Sequence, residues 1–131
     1  HPSVYAGLLR QKLATHGCTC WLVNTGWTGG SFGVGKRISI RHTRSLLNAA
    51  LDGKLQKVEY RKDKLFGFDV PTSCPEVPAD VLDPSSTWGN KDEYWKKYDA
   101  LVARFVENFK LFAEGCPEEV VKAGPKRLAR V

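Results

Sequence analysis

Asn24-Thr25-Gly26-Trp27-Thr28-Gly29-Gly30-Ser31-Phe32-Gly33-Val34-Gly35-Lys36-Arg37 is the stretch on which the fold turns. Five of the chain's twelve glycines fall between Gly26 and Gly35, more than a simple turn requires. Glycine permits positive φ and close backbone approach, or it permits motion. The segment therefore reads as a tight ligand-contacting loop or as a flexible lid, with an ordinary long surface loop as the alternative. Gly30-x-x-x-x-Gly35-Lys36 matches most of a P-loop. A P-loop continues with Ser or Thr, whose hydroxyl binds Mg²⁺, and runs straight into a helix whose N-terminus meets the phosphates. Here Arg37 follows instead. Arg37-Ile38-Ser39-Ile40-Arg41 then alternates polar and apolar, as an extended segment does, and helical spacing resumes only near Thr43. The match is a decoy for a metal–triphosphate cradle.

Upstream, Pro2 stands at a first-turn position, and Tyr5, Leu8, Leu9, Lys12 and Leu13 follow at helical spacing until Gly17. Thr19-Cys20-Trp21-Leu22-Val23 is a short apolar run that suits a strand buried on both faces. A helix feeding such a strand is half of an α/β unit. Downstream, Thr43 or His42 is placed to cap a helix with Leu46, Leu47, Ala50 and Leu51 on its apolar face and Gly53 at its end. Leu55–Tyr60 and Leu65–Val70 read as two strands joined by the charged turn Arg61-Lys62-Asp63-Lys64. Pro71, Pro75, Pro78 and Pro84 mark a loop. Asn90 with Glu93 three places on is a capping-box-like start. A long helix follows, carrying Tyr94, Tyr98, Leu101, Phe105, Phe109 and Phe112 on one face and closing at Gly115. Residues Pro117 to Ala123 form a last short helix. Trp95, Tyr98, Phe105 and Phe109 are expected to pack in the core. The mixture gives an α/β or α+β piece and excludes an all-helical bundle.

The chain has 131 residues, 42% hydrophobic and 26% charged, which suits one globular domain and excludes a disordered or collagen-like chain. It contains no Met and begins at His1 in the opening of a helix, which reads as a piece of a longer polypeptide. The net charge of +6 sits wholly in the first 51 residues. Arg10, Lys12, Lys36, Arg37, Arg41 and Arg44 precede the first acid, Asp52. Bases clustered between positions 36 and 44 without a carboxylate point to an anionic partner. Phosphate on a small ligand fits better than nucleic acid, whose grooves spread bases along a face and interleave aromatics. A charged face balanced by acids from elsewhere is the plain alternative. Cys18, Cys20, Cys74 and Cys116 form no C-x-x-C pair, and His1, His16 and His42 complete no zinc spacing. Buried free thiols in a reduced compartment are expected, with Cys18 and Cys20 at the start of the apolar run. No apolar run reaches the ~20 residues of a membrane helix, and no signal-peptide pattern opens the chain.

Several motifs together resemble the ATP-dependent phosphoenolpyruvate carboxykinase family. They are Asn24-Thr25-Gly26-Trp27-Thr28-Gly29-Gly30, then Phe32-Gly33-Val34-Gly35-Lys36-Arg37-Ile38-Ser39-Ile40 and His42-Thr43-Arg44. Phe66-Gly67-Phe68-Asp69-Val70-Pro71-Thr72, Val77-Pro78, Val81-Leu82-Asp83-Pro84 and Thr87-Trp88 continue the likeness. Arg104-Phe105-Val106-Glu107-Asn108-Phe109, Ala123-Gly124-Pro125 and, upstream, His1-Pro2-x-x-Tyr5 extend it over almost the whole chain. The resemblance implies an α/β fold in which residues 1–131 form the C-terminal part of a mixed α/β nucleotide-binding domain. Within it lie a helix–strand unit, a flexible Gly-rich loop at 25–36 (Gly29, Gly30, Gly33, Gly35), an adenine-pocket segment at 37–44 and C-terminal helices at 90–123.

The implied reaction is the gluconeogenic conversion of oxaloacetate plus ATP to phosphoenolpyruvate, ADP and CO2, with Mg²⁺ on the nucleotide and a second ion such as Mn²⁺ beside it. By the same resemblance Arg37, Ile38 and Thr43 line the adenine pocket. Lys36, Arg41 and Arg44 are secondary candidates, structural or phosphate-steering. The family's P-loop, metal ligands and oxaloacetate-binding arginines match nothing here, so the 131 residues alone are expected to be inactive, with bare apolar faces. Nucleotide and oxaloacetate or phosphoenolpyruvate are the implied partners, with no nucleic acid and no membrane. The implied location is the cytoplasm. Ala129-Arg130-Val131 is near, without matching, the small–basic–Leu address that would direct the chain to a glycosome or peroxisome. A free-standing, non-catalytic nucleotide- or phosphate-binding module is the alternative function.

Overall fold

The fold is known from a computed structural model that describes residues 1–128; the tripeptide Ala129-Arg130-Val131 lies outside the described residues. Pro2 sits where its missing N–H costs nothing, and helix α1 (Pro2–His16) runs from it. Gly17 ends α1 in the left-handed region at φ 59°, with its N–H on the Leu13 carbonyl at 2.9 Å. No residue of α1 is buried. Among the described residues the Arg10–Glu119 ion pair at 2.8 Å ties it to a later part of the chain, and the ring of its N-cap His1 meets Phe112 edge-on.

The apolar run after α1 is not a strand. Residues 18–25 carry no regular structure, and Cys18, Cys20, Leu22 and Val23 are exposed. A strand exists only beside a hydrogen-bonding neighbour, and among the described residues nothing pairs with this run. The helix–strand unit and the buried thiols at Cys18 and Cys20 are corrected accordingly. All four cysteines are free, and Cys74 is buried, which pushes its thiol pKa up.

Two antiparallel hairpins supply the strands. In the first, β1 (Trp27–Thr28) pairs with β2 (Lys36–Arg37), Trp27 opposite Arg37 and Thr28 opposite Lys36. Helix α2 (Ile40–Leu51) starts three residues before Thr43. Ser39 is extended (φ −64°, ψ 145°), and its hydroxyl accepts the His42 N–H at 3.1 Å, so Ser39 takes the capping role expected of Thr43 or His42. Lys54–Lys57 form a 3-10 helix rather than a strand, begun by Gly53 at φ 69°.

The second hairpin, β3 (Tyr60–Lys62) with β4 (Asp69–Pro71), joins Tyr60 to Pro71, Arg61 to Val70 and Lys62 to Asp69. Arg61 and Lys62 lie in the strand, not in the turn. Asp63 sets the turn's start: its Oδ1 accepts the Leu65 and Phe66 N–H groups at 3.0 and 2.7 Å, and Gly67 takes φ 70°. A further 3-10 turn at Ala79–Leu82 leads into the short helix α3 (Pro84–Thr87). Asn90 caps α4 (Lys91–Phe109), accepting the Glu93 N–H at 3.0 Å. Phe112 lies beyond α4, and α5 (Glu118–Lys122) follows.

The core lies between α2 and the 55–82 segment: Ala49, Leu55, Cys74, Val77 and Leu82 are buried, with Trp21, Leu46, Ala50 and Val81 packed on them. On the far side Tyr98 stacks on Phe66 with ring centres 5.7 Å apart, and Phe105 meets Phe66 edge-on at 5.1 Å. Phe105 is nonetheless 52% exposed, so the expected core face of α4 is only half covered. The chain exposes 10151 Å² in all. A compact monomer of its 14.6 kDa exposes about 6,900 Å². The difference is on the order of 3,000 Å², and bare apolar side chains of α1, of the 22–34 segment and of α4 contribute to it. Among the described residues no helix is long and apolar enough to cross a membrane.

Candidate functional site

The glycine segment closes on itself. The Val34 N–H bonds the Ser31 carbonyl at 3.0 Å, with Gly33 third in the turn at φ 88°, where a type II turn requires glycine. The Gly35 N–H reaches the same carbonyl at 2.9 Å. A Cβ on Gly35 would stand 2.7 Å from the Thr28 carbonyl oxygen and closer still to that of Gly30. Gly35 is therefore needed for close approach, and Gly33 for its dihedral. Phe32 and Val34 project from the tip into solvent, and Phe32 packs edge-on against Trp27 at 5.4 Å. At the base, Asn24 Oδ1 accepts the Gly26 N–H at 2.9 Å and the Ile38 N–H bonds the Gly26 carbonyl at 3.0 Å. Lys36 and Arg37 thus return along a strand, where a P-loop would run straight into a helix.

That return strand delivers a cationic corner. Lys36 and Arg37 are exposed on β2, and Arg41 and Arg44 are exposed in the first turns of α2. Among the described residues no carboxylate pairs with any of the four within 4.0 Å. Helix N-termini ordinarily gather acids, because their free N–H groups carry partial positive charge. The first turn of α2 contains none and carries Arg41 instead. Like charges concentrated this way favour an anion from outside.

Beside the corner opens a cleft of about 840 Å³. Asn24, Trp27, Thr28, Ile38, Leu46, Ala50, Arg61, Asp83, Trp88 and Tyr94 are among the residues that line it. Arg61 is fixed there: its Nη2 donates to the Leu82 carbonyl at 2.7 Å and lies 3.5 Å from Asp83 Oδ1. Tyr98 donates to Asp63 Oδ1 at 2.7 Å. Burial, that hydrogen bond and the Asp63 charge hold the Tyr98 phenol far above its usual range. Burial, then Asp63 and Asp83, raise Tyr94 as well, against the opposing pull of Arg61.

The three expected site residues fall on one continuous stretch. Ile38 is half-buried and lines the cleft, Arg37 stands exposed on β2, and Thr43 is half-buried in the first turn of α2. Arg37 and Thr43 are not among the cleft-lining residues. The Thr43 hydroxyl donates to the Ser39 carbonyl at 3.1 Å. Sequence reasoning misses Ser39 as the cap, although a Ser three residues before His42 is a legible signal. It also misses Thr87, whose hydroxyl contacts Thr28 and Gly29 across 59 and 58 residues. No local pattern marks that contact.

A family model described as phosphoenolpyruvate carboxykinase matches residues 1–80. Curated relatives agree over nearly the whole chain. The chain is 53% identical over 124 residues to the phosphoenolpyruvate carboxykinase (ATP) of Bradyrhizobium sp. (strain BTAi1), covering 95% of this chain and 23% of that protein. It is 50% identical over 127 residues to the enzyme of the same name from Brevibacillus brevis, covering 96% and 24%. For Geobacter metallireducens the figures are 53% over 112 residues, 86% and 21%. The chain thus spans about a quarter of the length of the curated relatives it matches. With the glycine hairpin, Arg-Ile-Ser-Ile segment and capped α2 in one place, these matches show that the chain belongs to the ATP-dependent phosphoenolpyruvate carboxykinase family.

Proposed function

We propose that this chain supplies the C-terminal, adenine-gripping part of the nucleotide-binding domain of a phosphoenolpyruvate carboxykinase that converts oxaloacetate and ATP to phosphoenolpyruvate, ADP and CO2. The observation that carries the proposal is the 53% identity, over 95% of the chain, to enzymes bearing that name. In this reading the Arg37 guanidinium lies on the face of the purine, Ile38 gives apolar contact, and Thr43 meets the ring edge. A hydroxyl has one proton and two lone pairs. Thr43 spends its proton on the Ser39 carbonyl, so toward a ligand it accepts. An exocyclic amino group, as on adenine, satisfies that oxygen, whereas the O6 carbonyl of guanine does not. The bases at 36–44 draw in the polyphosphate.

Among the described residues no group of three or more His, Cys, Asp or Glu side chains could hold a metal ion. Among the described residues no such ligand set is therefore assigned to Mg²⁺ or Mn²⁺. Decarboxylation and phosphoryl transfer require groups that this segment does not contain, so residues 1–131 alone catalyse nothing. The bare apolar surface is in keeping with a segment that works packed against more polypeptide. The same reading makes the enzyme cytoplasmic and gluconeogenic.

The test is Arg37→Ala in the full-length enzyme carrying these residues. Loss of a desolvated cation–π contact weakens ATP binding by about tenfold. Titration calorimetry that finds ATP affinity unchanged refutes the site.

A further inference from the structure

Among the described residues one side chain, Thr87, ties the glycine hairpin by hydrogen bonds to a part of the chain distant in sequence. The Thr87 hydroxyl, at the end of α3, lies 2.9 Å from the Pro84 carbonyl, 3.1 Å from the Gly29 nitrogen and 3.0 Å from the Thr28 hydroxyl. Its one proton goes to the Pro84 oxygen, which only accepts. Both lone pairs then accept, from the Gly29 N–H and from the Thr28 O–H. The donor direction between the two threonines is thereby fixed, and the Thr87 hydroxyl is saturated.

Among the described residues these two bonds are the hydrogen bonds that tie residues 26–38 to a part of the chain distant in sequence. Gly29 presents its N–H to Thr87 in a conformation at φ 78° that side chains rarely adopt. The anchor is itself anchored. Asp83 Oδ1 accepts the Ser85 N–H and O–H at 3.2 and 2.7 Å, and Arg61 on β3 holds the Leu82 carbonyl. A strand pair two residues long has little stability of its own, so its orientation depends on what clasps it.

We infer that Thr87 is a positioning residue for the nucleotide: it clasps the glycine hairpin to α3 and so sets where β2 presents Arg37 and Ile38. This rests on the adenine-site reading above. With the clasp closed, the binding-competent arrangement dominates. With it open, the hairpin samples other orientations, and apparent affinity falls by the fraction that remains competent.

The experiment uses the full-length enzyme with Thr87→Val, Thr87→Ser, Thr28→Val and the double variant T28V/T87V. Hydrogen exchange reads the hairpin amides at 29–37, and calorimetry reads ATP. T87V removes both bonds at nearly constant shape, and should raise exchange across 29–37 and weaken ATP by about tenfold. T87S keeps the hydroxyl and should stay within about twofold of the parent, with T28V between. T28V/T87V should be no worse than T87V, because the two changes break the same contact. If T87V is too unstable to purify, T28V against T87S carries the comparison. Unchanged exchange at 29–37 overturns the clasp. Raised exchange with unchanged ATP affinity overturns its link to the nucleotide. Arg37→Ala separates the two readings: if R37A weakens ATP and T87V does not, only the clasp's role falls; if neither does, the adenine site falls with it.

Discussion

Replacing Gly35 by alanine puts a methyl group where the hairpin leaves no room for one. The added Cβ would lie 2.7 Å from the Thr28 carbonyl oxygen and 2.9 Å from the Gly30 carbonyl carbon, with the Gly30 oxygen nearer still. All are backbone atoms, so no rotamer change relieves the overlap. Gly35 has no positive φ; the cost is therefore steric and not a matter of alanine's own backbone preference. Overpacking of this kind costs about 1–3 kcal/mol, and the upper half applies because backbone must move on both sides.

Two other glycines give the controls. At Gly33 a Cβ meets nothing within 4 Å, but φ is 88°, so Gly33→Ala costs about 1–2 kcal/mol through the dihedral alone. Gly7 sits inside α1 with open space around it, and Gly7→Ala should stabilise that helix by about 0.5–1 kcal/mol. Exchange at the Val34 and Gly35 amides, both bonded to Ser31, is the readout. About 2 kcal/mol against the closed hairpin accelerates it by roughly thirtyfold, up to the point where the hairpin is simply open. G35A should exceed G33A, and G7A should leave these amides untouched. If G35A exchanges like the parent, the close-approach argument is wrong.

The remaining predictions concern the supports around the site. Tyr98 titrates far above its unfolded value of about 10. Below that pH both states keep the proton; above it the unfolded chain releases a proton that the folded one retains. Stability should therefore fall as pH rises past about 10, by up to about 1.4 kcal/mol per unit from this group. Tyr98→Phe should flatten that slope while costing about 1–2 kcal/mol at neutral pH through the lost Asp63 bond. Urea midpoints at about pH 9 and 11 check both signs, and an unchanged slope counts against the assignment. Asn90→Ala removes the cap on Glu93 and should cost about 1 kcal/mol. It should speed exchange in the first turn of α4 about fivefold, and no change there means the cap is idle.

Where sequence and structure agree, the deciding bonds are short-range. The Pro2 start, the Gly17 stop and the Asn90–Glu93 cap each involve partners within four residues. The second hairpin is legible as two strands and a turn, but the strands expected at Leu55–Tyr60 and Leu65–Val70 stand at Tyr60–Lys62 and Asp69–Pro71, and the turn begins later than the run of charges suggests. The Asp63 side chain starts it. The alternation of Ile38 and Ile40 with polar neighbours points past Ser39 to a cap at Thr43, but Ser39 wins by bonding the His42 N–H. Leu22 and Val23 show the opposite failure. Their apolar run has the composition of a buried strand, but hydrogen-bonding partners, not composition, make a strand.

The sequence by itself determined the start and stop of α1, the start of α4, the glycine demand at the hairpin and the uncompensated bases at 36–44, because each is a property of neighbouring residues. Its motifs also carried the family. Tertiary structure alone decided that Ile38 faces a cleft while Arg37 stands in solvent, and that Thr87 holds Thr28 and Gly29 from 59 and 58 residues away. A hydroxyl's partners at such separation depend on how α3, β3 and α4 pack together. No local periodicity encodes that packing.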